Sequence, residues 1–262
     1  MNYRLCQLLE QSTATVRYDA GAERFMRRDP DNDSEHICIG VHRLLRRLMY
    51  VPQHIKKQCE HCAEQKKKKK KSRCMGKNDM DHGSIVDGQI DAYTKNACQF
   101  GSHVDPCAAN AISFLKKRFK LIPIASQIPI YSPTLNVATA IDLLCTDELT
   151  GTELHLVELK ATRHMYDDSG CYMAHVSRRT RGPLAGLPTS HCARNQLQLW
   201  AMYHTLTTDY DIEVDSAFVL RTSPLQVCQY MLNSWIVDRS HILEETLRAL
   251  TRPTAAKRRR RN

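Results

Sequence analysis

The sequence predicts an α/β fold with a mixed central β-sheet flanked by α-helices. Three observations predict it: two segments of helical apolar spacing come first, three strand-like runs follow, and a further helical segment separates these from two more strands. With 262 residues, 42% of them hydrophobic and 25% charged, the chain has globular composition and enough length for a large core. That excludes a wholly disordered, collagenous or mini-protein chain.

Residues 1–80 read as an N-terminal region of scattered apolar residues. They contain the acidic turn Asp29-Pro-Asp-Asn-Asp33 and a lysine run, Lys66 to Lys71. One helical stripe is visible there, Val41, Leu44, Leu45 and Leu48 within 39–49. From Gly83 a helix is expected, because Val86, Ile90, Tyr93 and Ala97 recur on one face. Asp105 and Pro106 supply a cap and a first-turn proline for a second helix, with Ala108, Ile112, Leu115 and Phe119 inward. Strands are expected over 121–131, 135–145 and 153–162, the last two joined by the turn-rich Asp147-Glu-Leu-Thr-Gly151. A loop rich in Arg, Gly and Pro covers 167–189. A helix over 190–207, strands over 213–220 and 225–232, and a helix over 238–250 complete a domain expected to span 81–250. Residues 251–262 form a basic tail.

Lys and Arg total 38 against 28 for Asp and Glu, giving a formal charge of +10. Two clusters, Lys66 to Lys71 with Arg73 and Lys257 with Arg258 to Arg261, account for more than the whole excess. The body is therefore near neutral, and contact with a polyanion is expected through accessory segments. The 11 cysteines are an odd number, and the opening residues lack the pattern of a secretory signal, so an intracellular chain with reduced thiols is expected. No apolar run reaches the roughly 18–20 residues of a membrane span. The Lys257-Arg-Arg-Arg-Arg run resembles a nuclear import signal, which points to the nucleus.

Chemistry concentrates in Val137-Ala-Thr-Ala-Ile-Asp-Leu-Leu-Cys145 and Leu154-His-Leu-Val-Glu-Leu-Lys160. Strand alternation sends Glu158 and Lys160 to the face of Leu154 and Leu156, and His155, Val157 and Leu159 to the other. Both faces are mainly apolar, which predicts a central strand covered on each side. A Glu and a Lys there are costly unless paired or holding a metal. A hairpin returns Asp142 to the same end, and two converging carboxylates make a hard oxygen site for Mg²⁺ or Mn²⁺. A neighbouring lysine can orient a water or stabilise charge on a phosphate, which together suit phosphodiester hydrolysis. Taken singly, Glu-x-Lys is a common exposed strand pair and Asp142 an ordinary strand-end residue.

Asp142 followed by Glu158-Leu159-Lys160 resembles the Asp…Glu-x-Lys signature of the PD-(D/E)XK nuclease superfamily. The element order resembles its RecB-type, lambda-exonuclease-like branch, which includes mitochondrial genome maintenance exonucleases. Three further segments are similar to that branch. Gly83-Ser-Ile-Val-Asp87 stands where it has Gly-x-x-x-His, Ala138-Thr-Ala-Ile-Asp142 where it has Gly-x-x-Asp, and Gln196-Leu-Gln-Leu-Trp200 where it has Gln-x-x-x-Tyr. The resemblance covers about 80–232. It implies a restriction-endonuclease-like core, a Mg²⁺-dependent or Mn²⁺-dependent deoxyribonuclease that trims DNA ends in replication, recombination or repair, and DNA as partner. Carried over, Asp142, Glu158 and the Leu159 carbonyl would hold metal, Lys160 would position the attacking water, and Gln196 would orient the site or contact DNA. The sequence departs from the pattern at Asp87, Trp200 and Gln127, where members carry His, Tyr and often Glu. Asp87 can still offer a carboxylate, or serve simply as an early-helix acid.

Cys59, Cys62, Cys74 and His82 could supply a tetrahedral Zn²⁺ set, with His54 and His61 as alternative ligands. Arg178, Arg179 and Arg181 read as a phosphate clamp or as a solvated loop, and Lys66, Lys67, Lys68, Lys69, Lys70 and Lys71 as sequence-independent DNA contacts. Two other readings stay open: a nucleic-acid-binding protein that has kept the fold and lost catalysis, and a zinc-containing nuclear adaptor.

Overall fold

The structure is a computed structural model that describes residues 15–19, 22, 24–29, 31–49, 77–162, 184 and 190–251. The chain is α/β, as its sequence predicts. It opens with three short strands, β1 (Val16–Asp19), β2 (Arg24–Arg28) and β3 (Glu35–Cys38), and a helix, α1 (Val41–Leu48). Then come α2 (Lys77–Lys95), α3 (Pro106–Phe114) continued by a π-turn (Leu115–Phe119), β4 (Leu121–Ser132), β5 (Val137–Asp147) and β6 (Leu154–Ala161). The chain continues with α4 (His191–His204) and its own π-turn (Thr205–Asp209), β7 (Ser216–Thr222), β8 (Val227–Met231), a one-turn α5 (Ser234–Val237) and α6 (Ser240–Thr251).

The main sheet has five strands in the order β4-β5-β6-β7-β8. All neighbours are antiparallel except β6 and β7, which run parallel with Lys160 beside Arg221. β6 is thus the central strand. Its Leu154 and Leu156 pack with Leu199 and Met202 of α4, and its Val157 and Leu159 pack with Val86 and Ile90 of α2 and Ile112 of α3. The face assignment expected from alternation holds. α1 and α6 build a third core outside α4, where Leu44, Leu45 and Leu247 meet Trp200.

Local chemistry explains the boundaries. The Asp105 carboxylate caps α3 by accepting the Cys107 N–H, with Pro106 in the first turn, and Ser190 caps α4 by accepting the Ala193 N–H. The β5–β6 turn closes around Asp147, whose carboxylate accepts N–H groups from Leu149, Thr150, Thr152 and Glu153, while Gly151 supplies a φ of 66°. β4 is an edge strand, which is why Pro123 and Pro129 fit within it.

Two differences from expectation concern the N-terminal part. α2 begins at Lys77, ahead of Gly83, so that glycine lies inside the helix and not at its start. A Cβ there would meet nothing within 4 Å, so the glycine is not forced by crowding. Residues 16–49 also hold more structure than the single helical stripe, because β1 to β3 form an antiparallel sheet tied to the body. The Ala138 N–H donates to the Ile39 carbonyl at 2.9 Å, and Arg27 stacks over the Tyr131 ring. These strands are only four or five residues long and carry ion pairs such as Arg17–Glu35, so they show no apolar alternation to read. Among the described residues no helix is long and apolar enough to cross a membrane.

Candidate active site

The site forms where β5 and β6 part. Their ladder runs from Thr146↔Leu154 to Leu143↔Val157 and stops where Asp142 and Glu158 would pair next. The Asp142 side chain takes over from the missing backbone partner, its Oδ2 accepting the Leu159 N–H at 2.9 Å. On the other side of β5, the pairs Ser126↔Leu143 and Ile128↔Ile141 leave Gln127 facing Asp142 without pairing. Gln127 has a φ of 51°, a left-handed conformation that is strained for a residue with a side chain. Ile141 packs toward α4 while Leu143 packs toward α2 and α3, so the sheet turns over at Asp142.

Lys160 bridges the carboxylates. Its Nζ lies 3.7 Å from Asp142 Oδ2 and forms an ion pair with Glu158 Oε1. Glu158 is 0% exposed, and its Oε2 has no hydrogen-bond donor among the described residues. The Lys160 side chain keeps 33% of its exposure, and its ammonium is turned onto the buried Glu158 carboxylate. Asp87 joins from α2. Burial pushes its carboxyl up to about 7, with the Asp142 charge adding to the rise and Lys160 opposing it. Burial, then Asp142, pushes Glu158 up to about 8 against the pull of Lys160. For Lys160, burial works against the charged form, but Glu158 and Asp142 outweigh it and hold the ammonium above its usual range.

Asp142 and Glu158 therefore share one ammonium, and Asp87 is near enough to feel the charges of Asp142 and Lys160. The shifts of Asp87 and Glu158 have the same two causes, burial first and the neighbouring Asp142 charge second. A divalent cation would offset both by pairing with the charged forms. The donor set is all oxygen, and the undonated Oε2 of Glu158 is a buried acceptor with capacity to spare.

Of the residues expected to act, Asp142, Glu158, Lys160 and Asp87 come together, and Leu159 contributes its N–H to Asp142. Gln127 faces Asp142 across the β4–β5 register but is exposed. Gln196 is elsewhere occupied. Its Nε2 donates to the carbonyls of Tyr230 at 3.2 Å and Met231 at 3.0 Å, and its Oε1 accepts the Asn233 N–H at 3.0 Å. All of these partners lie at the end of β8, so Gln196 anchors that strand to α4. Gln196→Ala is expected to cost about 1–3 kcal/mol, since two carbonyls and an N–H lose their partner at once. A thermal melt checks this as a drop of roughly 2–4 °C per kcal/mol. Trp200, on the same helix, is core, with its Nε1 donating to Ser240 Oγ at 2.8 Å.

His82 lies in a different cluster, 3.0 Å from Asp105. Lys66 to Lys71, Arg178, Arg179, Arg181, Cys59, Cys62 and Cys74 lie outside the described residues.

Two contributors were not foreseen. Ser126 Oγ donates to Asp91 Oδ1 at 2.7 Å, pinning β4 to α2 one turn beyond Asp87. Its signal was the Asp87/Asp91 spacing along one helix face. Arg221 stands beside Lys160 in the parallel register and is 7% exposed. An arginine inside the apolar run Phe218-Val-Leu-Arg-Thr222 was the cue to it.

No family model matches the chain, and no curated protein matches it.

Proposed function

We propose that the chain is a divalent-metal-dependent deoxyribonuclease on a restriction-endonuclease-like core, related to the PD-(D/E)XK enzymes. The convergence of Asp142, Glu158 and Lys160 at the point where β5 and β6 part carries this reading. Asp142 and Glu158, with Asp87 beside them, would hold Mg²⁺ or Mn²⁺. When bound, the ion supplies Lewis acidity toward a phosphoryl oxygen and acidifies a water.

The protein's own groups do the rest. Glu158 is fixed by the central strand, and Asp142 is oriented by the Leu159 N–H, so both carboxylates are placed before substrate arrives. Lys160, partly exposed between them, orients the attacking water and offsets charge that builds on the phosphate. The basic run 66–71 and the basic tail add salt-sensitive affinity that is independent of sequence. DNA end trimming in a nuclear or related replication, recombination or repair setting is the favoured role, on the resemblance of the motif order to RecB-type exonucleases.

The test is digestion of end-labelled linear and closed circular DNA with Mg²⁺, Mn²⁺ or EDTA. Metal-dependent loss of the linear form with circles spared is the expected result. Cleavage of circles would make the enzyme an endonuclease. Binding without cleavage in either metal would sink the catalytic reading and leave a DNA-binding protein.

A further inference from the structure

A second cluster of ligand-type side chains lies one turn before Asp87 on α2. His82 is 5% exposed, and its Nε2 is 3.0 Å from Asp105 Oδ2. Asp105 Oδ1 accepts the Cys107 N–H at 2.8 Å, and the Cys107 side chain is fully buried. One ligand atom from each of the three residues lies within 4.8 Å of the others. The Cys107 Sγ is also 3.8 Å from the carbonyl oxygen of Thr162, just past the end of β6.

A braced helix cap explains only part of this arrangement. Capping needs Asp105 and an N–H; it does not need a buried imidazole or thiol. His82 Nδ1 is buried without a hydrogen-bond partner among the described residues, so in either tautomer one ring nitrogen goes unserved. A metal ion at Nε2 would stand in place of the proton shared with Asp105 Oδ2, with both atoms as ligands. Cys107 occupies the first turn of the nine-residue α3, which brings its Sγ to the same point as the His82 ring and the Asp105 carboxylate.

We propose that His82, Asp105 and Cys107 form a Zn²⁺ site distinct from the all-oxygen site of Asp87, Asp142 and Glu158. Sulfur, nitrogen and oxygen donors in one cluster suit Zn²⁺ and disfavour Mg²⁺, whose preference is for oxygen alone. Water or the Thr162 carbonyl completes the fourth position. The ion ties α2, α3 and the end of β6 to one point, and so holds the helix of Asp87 against the strand of Lys160. Of the four residues expected at a zinc site from sequence, His82 is the one that lies within the described residues. Asp105 and Cys107 come to it through the fold.

Metal analysis of the purified full chain after exposure to Zn²⁺ and extensive dialysis tests this directly. Wild type is expected to retain close to one equivalent more zinc than either Cys107→Ser or His82→Gln, and Asp142→Asn is expected to retain as much as wild type. Loaded with Co²⁺, wild type is expected to show a sulfur-to-cobalt charge-transfer band that Cys107→Ser weakens. Chelation is expected to lower the Tm of wild type and leave that of Cys107→Ser unchanged. Should Cys107→Ser fail to fold, His82→Gln and the wild-type cobalt spectrum carry the test. A wild-type chain without retained zinc, or variants that keep all of it, would overturn the proposal and reduce the cluster to a hydrogen-bonded cap. Zinc content is read without DNA, so this outcome is independent of whether the chain cuts DNA.

Discussion

Lys160→Ala and Asp142→Asn are each expected to lower turnover on linear DNA by a factor on the order of 10²–10³ at saturating substrate, with binding retained. The two substitutions fail for different reasons. Lys160→Ala removes the ammonium set between the carboxylates, and with it the group proposed to place the water. Asp142→Asn keeps the shape but removes a ligand charge. The asparagine can still accept the Leu159 N–H, so the parting of β5 and β6 should survive. Filter binding at matched salt separates lost chemistry from lost affinity, because the proposed phosphate contacts by Lys and Arg elsewhere in the chain would carry the salt-dependent part. Full activity in either variant would remove these residues from the mechanism.

Glu158→Gln is expected to raise stability in EDTA while eliminating cleavage. The folded chain holds the Glu158 carboxyl up to about 8 against an ordinary value of 4.5, chiefly through burial. Between those values the folded state keeps a proton that the unfolded state gives up. The Glu158 contribution to stability therefore falls as pH rises from about 4.5 to about 8, and levels off above that. Glutamine has no proton to lose. The Tm difference between variant and wild type should be small near pH 5 and grow to the order of 5 °C near pH 8. Taking the difference cancels titrations common to both chains, such as His155 and His204, whose pKa values burial depresses. Saturating Mg²⁺ should then reverse the order, because an ion that binds only the folded wild type stabilises it by mass action. A variant no more stable than wild type at pH 8 would mean that Glu158 is adequately solvated or paired.

Much of this was legible because the elements announce themselves locally. Asp105-Pro106 placed the start of α3 through capping chemistry, and the doubly apolar run 154–160 marked β6 as central. The same run exposed Glu158 and Lys160 as charges in an expensive place. What could not be read was set by tertiary contact. Gln196 occupies a motif-like position, yet which carbonyls it meets depends on where β8 ends, and no spacing within α4 encodes that. Arg221 comes beside Lys160 only through the parallel register of β6 and β7. β1 to β3 pair through short backbone ladders and are tied to the body by the Ile39–Ala138 bond, neither of which leaves a periodic trace.

The two kinds of strand pairing around the site also order its assembly. Asp142 and Glu158 sit on a hairpin whose turn is closed by Asp147 and its neighbours, a contact of short loop length that forms among the earliest events of folding. Arg221 arrives later, when β7 docks parallel to β6 across the intervening α4, a closure that carries far more loop entropy. The nascent chain thus brings its carboxylates together before the cover that buries them is in place. A divalent cation present at that stage would act as a template for the hairpin, and refolding in Mg²⁺ would be faster as well as more complete.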